Sequence, residues 1–391
     1  MKATASRVDG FGPSAFGEMT LLAQQFGAVN LGQGFPDFLP PAFVLEAARE
    51  AFAGTHHQYA PPKGWPRLAR AIAQTLEPQL GFAPDPDAEV TVLVGATQAL
   101  HATMQALIEP GDEIIIMEPK FDTYTPQALL SEATPIYLQL EPTENGWQLN
   151  LEQLRNSCSN RTKLLILNTP HNPTGKVFTR SELEAIAALA LEFDFFVIAD
   201  EVYDRLVFGV EHLSLASLPE MRDRTITIGS AGKMFSVTGW RIGWTVASPS
   251  ITTAIRNGLQ WTSFAATTPT QEAVALCLER APGLNYDSQL RMEFLQKRDF
   301  LFEALQAGGF KPWVPDGAYY IVADASNLTD DALAFSRWMV ETAGLAAMPS
   351  SVFYIPEHEH LAPPSFRFAF CKSEAVLEAA AKKLSDLRGL L

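Results

Sequence analysis

Lys163-Leu-Leu-Ile-Leu-Asn-Thr-Pro-His-Asn-Pro-Thr-Gly175, a helical pattern from Ser181 to Glu192, then Phe195-Phe-Val-Ile-Ala-Asp-Glu-Val-Tyr203: this stretch decides the fold. The apolar runs at its two ends do not alternate with polar residues. Such runs suit strands that are covered on both faces. Strand, helix and strand in succession predict a parallel pair joined by a helical crossover. Similar runs lie outward from it, at Val90–Val94, Glu113–Met117 and Thr225–Ile228. A helical pattern from Thr97 to Ile108 follows the first of them, and Pro110-Gly111-Asp112 punctuates its end. The expectation is an α/β fold with a mostly parallel, mixed sheet sandwiched by helices. Towards the C-terminus the pattern changes. Helical patterns at Leu290–Gln306, Asp331–Ala343 and Glu374–Leu387 mix with short strands at Tyr319–Val322 and Ser365–Phe370, which predicts a smaller α+β domain. The expected division is an N-terminal arm over residues 1–45 that forms part of the small domain, a large domain over 46–282 and a small domain over 283–391.

Bulk properties bound the function. With 391 residues, 47% of them apolar and 19% charged, the chain can bury a large core. A formal net charge of −15 disfavours nucleic acid and anionic lipid as partners. Cys158, Cys277 and Cys371 are too scattered for a metal or redox motif, which suits a reducing compartment. Residues 1–12 lack the apolar stretch of a signal peptide, and no apolar run is long enough to span a bilayer. A cytoplasmic protein without membrane partners is expected.

In open α/β sheets, ligands bind beyond the carboxyl ends of the strands. The residues that follow each predicted strand are therefore the candidates. Gly95-Ala96-Thr97 opens a helix, where free N–H groups and the helix dipole suit a phosphate; a plain glycine turn with a threonine cap is the alternative. Phe121 could stack on a flat ring or simply pack. Asn168 and Asn172 could offer amide hydrogen bonds or form a turn. Asp200 and Tyr203 end an apolar run, where an unpaired carboxylate is costly. Lys233 lies in the small-residue loop Gly229-Ser-Ala-Gly-Lys233, and a desolvated lysine has the lowered pKa of an amine nucleophile. Ser230 and Arg241 flank it and suit an anion.

These motifs resemble the class I/II, fold-type I family of pyridoxal-phosphate-dependent aminotransferases. Asn-Pro-Thr-Gly at 172–175, Asp-x-x-Tyr at 200–203, Ser-x-x-Lys at 230–233 and Gly-Trp-Arg-Ile-Gly at 239–243 fall in the family's order and spacing. The opening Asn30-Leu-Gly-Gln-Gly-Phe-Pro-Asp-Phe38 and the closing Phe366-Arg-Phe-Ala-Phe370 match as well. Within the family the chain looks similar to methionine aminotransferases and kynurenine–oxoglutarate (glutamine) transaminases.

The resemblance implies a role for each residue. Lys233 would bind the aldehyde of pyridoxal 5'-phosphate as a Schiff base and later move the substrate Cα proton. Asp200 would face the pyridine nitrogen. Asn172 and Tyr203 would hydrogen-bond the ring oxygen, and Phe121 would stack on the ring. Gly95, Ala96, Thr97, Ser230 and Arg241 would hold the phosphate. Tyr59 would reach the phosphate of a neighbouring subunit, which implies a homodimer with shared active sites. Arg367 would grip the substrate α-carboxylate through paired hydrogen bonds. The alternation of Phe366-Arg367-Phe368 equally allows a surface arginine. Gly34 and Asn168 match substrate-contacting positions, and Phe16, Phe35 and Tyr59 suggest an aromatic wall.

The expected reaction is ping-pong transamination between an amino acid and a 2-oxo acid, with methionine, aromatic or other large apolar side chains preferred. Elimination from a cysteine S-conjugate by the same cofactor is the alternative, since both begin at the same Cα carbanion. A non-catalytic regulator fits less well, because such proteins add a DNA-binding domain. Gly32-x-Gly34 is no dinucleotide fingerprint, because Phe35-Pro36 and not a helix follows it. No metal site is expected at His56-His57 or at Glu357-His-Glu-His360.

Overall fold

The apolar runs lie side by side in one eight-stranded sheet. The computed structural model describes residues 5–8 and 10–391; residues 1–4 and 9 of the expected N-terminal arm lie outside the described residues. In chain order the sheet contains β1 (Val90–Leu93), β2 (Glu113–Glu118), β3 (Thr134–Thr143), β4 (Gly146–Leu149), β5 (Thr162–Asn168), β6 (Phe196–Asp200), β7 (Thr225–Ser230) and β8 (Gly243–Val246). Their spatial order is β1-β8-β7-β6-β5-β2-β3-β4. The pairings β3–β2–β5–β6–β7 are parallel. β8 runs antiparallel between β1 and β7, and β4 runs antiparallel to β3.

The absence of alternation is explained by the packing. Leu164, Ile166 and Ile198 enter one apolar layer, while Leu165, Leu167 and Val197 enter another. Each strand thus buries both faces, as parallel sheets with helical crossovers do. The helix Arg180–Phe193 between β5 and β6 begins with a capping box in which Thr179 and Glu182 satisfy each other's backbone N–H groups.

Two local expectations need correction, and the β3–β4 hairpin, with Pro135, Pro142 and Glu141 in its strands, is an element the sequence reading did not assign. The strand expected from Tyr319 begins at Tyr320. The helix expected over 331–343 is α-helical only to Trp338, after which Met339–Ala343 widens to π-type bonding and Gly344, with φ 68°, ends it.

A second sheet of four strands uses Lys311–Pro312, Tyr320–Asp324, Ser365–Ala369 and Met348–Pro349 in that order, all antiparallel. The N-terminal segment is tied to the same region. Val29–Asn30 pairs in parallel with Leu345–Ala346, and Ala23 of the helix Ala15–Phe26 packs on Val340 and Ala346. Beyond it, residues 31–37 form a strap. Leu31 O accepts from Ala369 N at 2.7 Å, and Phe35 O accepts from Lys372 Nζ at 2.9 Å.

One buried carboxylate joins the two sheets' territories. Glu118, at the end of β2 and wholly buried, accepts the Ile355 N–H at 2.7 Å and lies 2.6 Å from His358 Nδ1. Lys120 N donates to Phe353 O at 2.8 Å, so the loop 350–361 is pinned over the strand end.

Ile198 sits on a central strand with no exposure. Ile198→Ala leaves a cavity between the sheet and its helices and is expected to cost about 2–5 kcal/mol. A lower urea midpoint of the cofactor-free variant checks this.

Candidate active site

The strand-end loops converge on one cavity. Its wall is formed by Phe16, Gly34, Ala96, Thr97, Phe121, Asn168, Asn172, Asp200, Tyr203, Ser230, Lys233, Arg241 and Arg367 from the expected set. Register explains part of this convergence. Asn168 and Asp200 are adjacent at the ends of β5 and β6, and Asn168 Nδ2 donates to Asp200 O at 2.8 Å. Asn168 Oδ1 in turn accepts the Asn172 N–H at 2.7 Å, which holds the loop after β5 against the cavity.

Asp200 is buried, and burial raises its carboxyl to about 6 despite the hydrogen bond from Tyr124, which favours the charged form. Oδ2 accepts from Tyr124 Oη at 2.6 Å, whereas Oδ1 has no partner among the described residues. A buried carboxylate oxygen without a donor is costly unless a cationic donor arrives.

Lys233, on the short helical turn Ala231–Met234, is half-buried in the cavity wall. Burial is the largest cause lowering its amine from 10.5 to about 8, while Asp200 and Cys371 oppose the shift. Nζ donates to Tyr319 Oη at 2.7 Å.

An anion site lies nearby. The helix Gly95–Leu107 starts with no side-chain cap, so its first N–H groups are free for an anion. Arg241, in the left-handed region at φ 53°, turns its guanidinium over that helix start. Gly95 lies behind the wall. A Cβ there would lie 2.8 Å from Arg241 Nη2, and φ is +75°, so only glycine suits the position.

Arg367 is no surface arginine. The whole strand Ser365–Ala369 is buried, so the alternation does not mark an exposed face. Nη1 donates to Asn172 Oδ1 and Nη2 to Gly32 O, both at 2.8 Å, while Nε has no partner among the described residues. The rings of Tyr320 and Phe353 lie 4.0 and 4.8 Å from its Cζ.

Two members of the expected aromatic wall are absent from the cavity. Phe35 points out against Lys372, and Tyr59 is 87% exposed with its ring edge on Phe264. Phe16 remains, with Phe353 against it at 5.8 Å. The sequence reading missed Gln33, Leu100, Tyr124, Val202 and Tyr320 on the wall. It also missed Gly243, where an added Cβ would lie 2.6 Å from Ala96 N and from Gly95 C. The repeated Gly in Gly239-Trp-Arg-Ile-Gly243 was the available signal.

The chain matches the family description for aminotransferase class I and II over residues 27–384. It belongs to that family. The enzyme is 39% identical to mouse kynurenine–oxoglutarate transaminase 1, over 98% of both chains. It superimposes on the solved structure of N-succinyldiaminopimelate aminotransferase from Mycobacterium tuberculosis with a TM-score of 0.94 and 40% identity, covering 98% of this chain and 100% of that one. For the Escherichia coli protein YbdL, described as having a methionine aminotransferase function, the TM-score is 0.93 at 35% identity, covering 99% and 100%. The aminotransferase is thus a fold-type I, pyridoxal-phosphate-dependent enzyme.

The residues present fit the cofactor. The unpartnered Asp200 Oδ1 suits a protonated ring nitrogen, the uncapped helix start beside Ser230 and Arg241 suits the phosphate, and Lys233 supplies the amine. Gly243→Ala would push β8 against the backbone of the phosphate cradle. It is expected to weaken cofactor retention by on the order of tenfold or more at unchanged absorbance per bound molecule, which equilibrium dialysis measures.

Proposed function

We propose that this aminotransferase moves the amino group of an amino acid with a large apolar or aromatic side chain to a 2-oxo acid in a ping-pong cycle. The convergence of Lys233 with the buried Asp200 and Arg367 on one cavity carries the proposal. Bound pyridoxal 5'-phosphate supplies an aldehyde and an electron-withdrawing ring. The chain's own groups supply the rest.

Arg367 and Asn172 bind the α-carboxylate, with Gly34 giving backbone room beside it, and so fix the direction of the Cα–H bond. Lys233, half-buried and neutral in an appreciable fraction near pH 8, takes that proton. Asp200 stabilises positive charge at the ring nitrogen, and Tyr124 holds its other oxygen in place. Tyr203 and Asn172 face the ring oxygen, Phe121 the ring, and Gly95, Ala96, Thr97, Ser230 and Arg241 the phosphate. Phe16 and Tyr320 line the cavity beside Arg367 and offer apolar surface to the substrate side chain, which supports the preference for large apolar donors. The methionine and kynurenine activities in the relatives' names support the same preference. Nothing in the cavity favours the elimination reaction.

We also propose a homodimer. Tyr59 and Trp261 are 87% and 83% exposed, and Phe264, shortly after Trp261 and at φ 64°, packs its ring against Tyr59. Exposed aromatic surface of this kind is a contact surface. A second copy would bring Tyr59 to its neighbour's phosphate.

Lys233→Ala is expected to lose the borohydride-reducible link to the cofactor and nearly all turnover. Normal turnover by this variant would end the proposal. For Arg367→Ala, kcat/KM should fall by about two orders of magnitude for every amino acid alike, since the α-carboxylate is common to them; a loss confined to one side-chain class would contradict its role. Tyr59→Phe should leave the dimer intact in sedimentation and loosen the cofactor, and a monomeric wild type would refute the shared site.

A further inference from the structure

The catalytic lysine has a partner that comes from the loop leading into the second sheet. Tyr319 stands just before the strand Tyr320–Asp324 and is almost wholly buried. Its Oη receives the Lys233 Nζ–H at 2.7 Å and donates its own proton to Gly34 O at 2.7 Å.

The loop that carries it is built for close approach. A Cβ on Gly317 would lie 2.7 Å from Pro170 and 2.8 Å from Leu206 O, and Gly317 N donates to Gly175 O. Ala318 follows with φ 60° and donates to Leu206 O at 2.9 Å. A non-glycine residue at positive φ costs free energy and persists only where its surroundings enforce it. The outcome is that the Tyr319 ring wedges between Tyr203, at 5.0 Å edge-on, and Phe294, at 6.2 Å stacked.

The direction of the hydrogen bonds matters. A phenol has one proton. A backbone carbonyl can only accept, so that proton is committed to Gly34. The phenolic oxygen can then only accept from Lys233. A neutral amine held this way donates one N–H to Tyr319 and keeps its lone pair free to face elsewhere.

We propose that Tyr319 is a positioning residue for catalysis: it anchors the released Lys233 amine through an N–H, so that the lone pair faces the substrate Cα and not the protein. No bond to Tyr319 forms or breaks in this role. The same hydroxyl grips the Gly34 carbonyl, so the amine is anchored only while the strap 31–37 is in place. The inference rests on the assignment of Lys233 as the proton carrier.

The groups facing Lys233 are Tyr319 and Tyr203, whose rings lie 5.3 and 5.5 Å from Nζ, together with Asp200, Arg241, Arg367 and Cys371. Of these, Tyr319 Oη is the one in hydrogen-bond contact. A neutral oxygen stabilises the ammonium it accepts from more than the neutral amine. Loss of that oxygen therefore moves the Lys233 titration down from about 8.

The test uses cofactor-free wild type, Tyr319→Phe and Lys233→Ala, each mixed with pyridoxal 5'-phosphate across a pH series and trapped with borohydride. In wild type, capture at Lys233 should rise with pH through a midpoint near 8. In Tyr319→Phe the midpoint should fall by about one unit. With a Cα-deuterated amino acid, this variant should show a larger primary isotope effect, a kcat lower by roughly tenfold to a hundredfold, and a KM little changed. Replacement of Tyr319 by 3-fluorotyrosine, which keeps the shape and weakens the acceptor, should shift the midpoint part of the way and guards against a misfolded phenylalanine variant. An unchanged midpoint and isotope effect in both variants would overturn the proposal. If wild type traps no more cofactor than Lys233→Ala, the assignment of Lys233 fails instead.

Discussion

A carboxylate and an amine face one cavity where burial penalises the charge on each, and that constraint governs the rest of the architecture. Asp200 ends the β6 strand inside the protein, and Lys233 follows β7 into the same cavity. Both are shifted towards their neutral forms by burial, the acid up to about 6 and the amine down to about 8. Neither shift would survive at a solvated surface. The desolvation needs apolar cover on both faces of the sheet, and the two packed layers around Leu164–Leu167 and Val197–Ile198 supply it. A fold with one wet sheet face would leave these groups near their ordinary values.

The cavity is closed by pieces that come from elsewhere in the chain. Arg367 from the second sheet bonds Asn172 from the loop after β5 and Gly32 from the strap. Glu118 holds the loop at 355–358, and Phe353 on that loop backs both Phe16 and Arg367. These contacts are polar at their centres and aromatic at their edges. The hydrogen bonds fix position, and the rings keep the charges dry. The groups proposed to bind the substrate carboxylate thus also close the structure.

Much of this site was legible in the sequence, for a definite reason. Asn168, Asn172, Asp200, Tyr203, Ser230 and Lys233 all lie within a few residues of a strand end, and a parallel sheet gathers its strand ends by construction. What stayed hidden came from across the seam. Tyr319 reads as the first residue of a strand, and nothing local shows that its hydroxyl meets Lys233. Gly243 reads as the end of a turn, and only the assembled backbone shows that β8 abuts the phosphate cradle. Alternation around Arg367 left its burial open, because a strand covered on both faces and a half-exposed one can share a pattern. Tyr59 and Phe35 were grouped with Phe16 as one wall on the family resemblance, yet neither lines the cavity. The β3–β4 hairpin carries prolines and charges that mask its strand character.

Gly34 deserves a last consideration in relation to Tyr320. A Cβ at position 34 would fall 2.0 Å from the Tyr320 hydroxyl and 2.7 Å from its ring carbons. The two positions share one volume, and the phenol has taken it. They are therefore bound to drift as a couple: a lineage that acquires a side chain on the strap must first surrender bulk from the opposite strand. This part of the cavity outline is set by two residues 286 positions apart (320 − 34), and a side chain at 34 can be housed only if position 320 gives up its phenol.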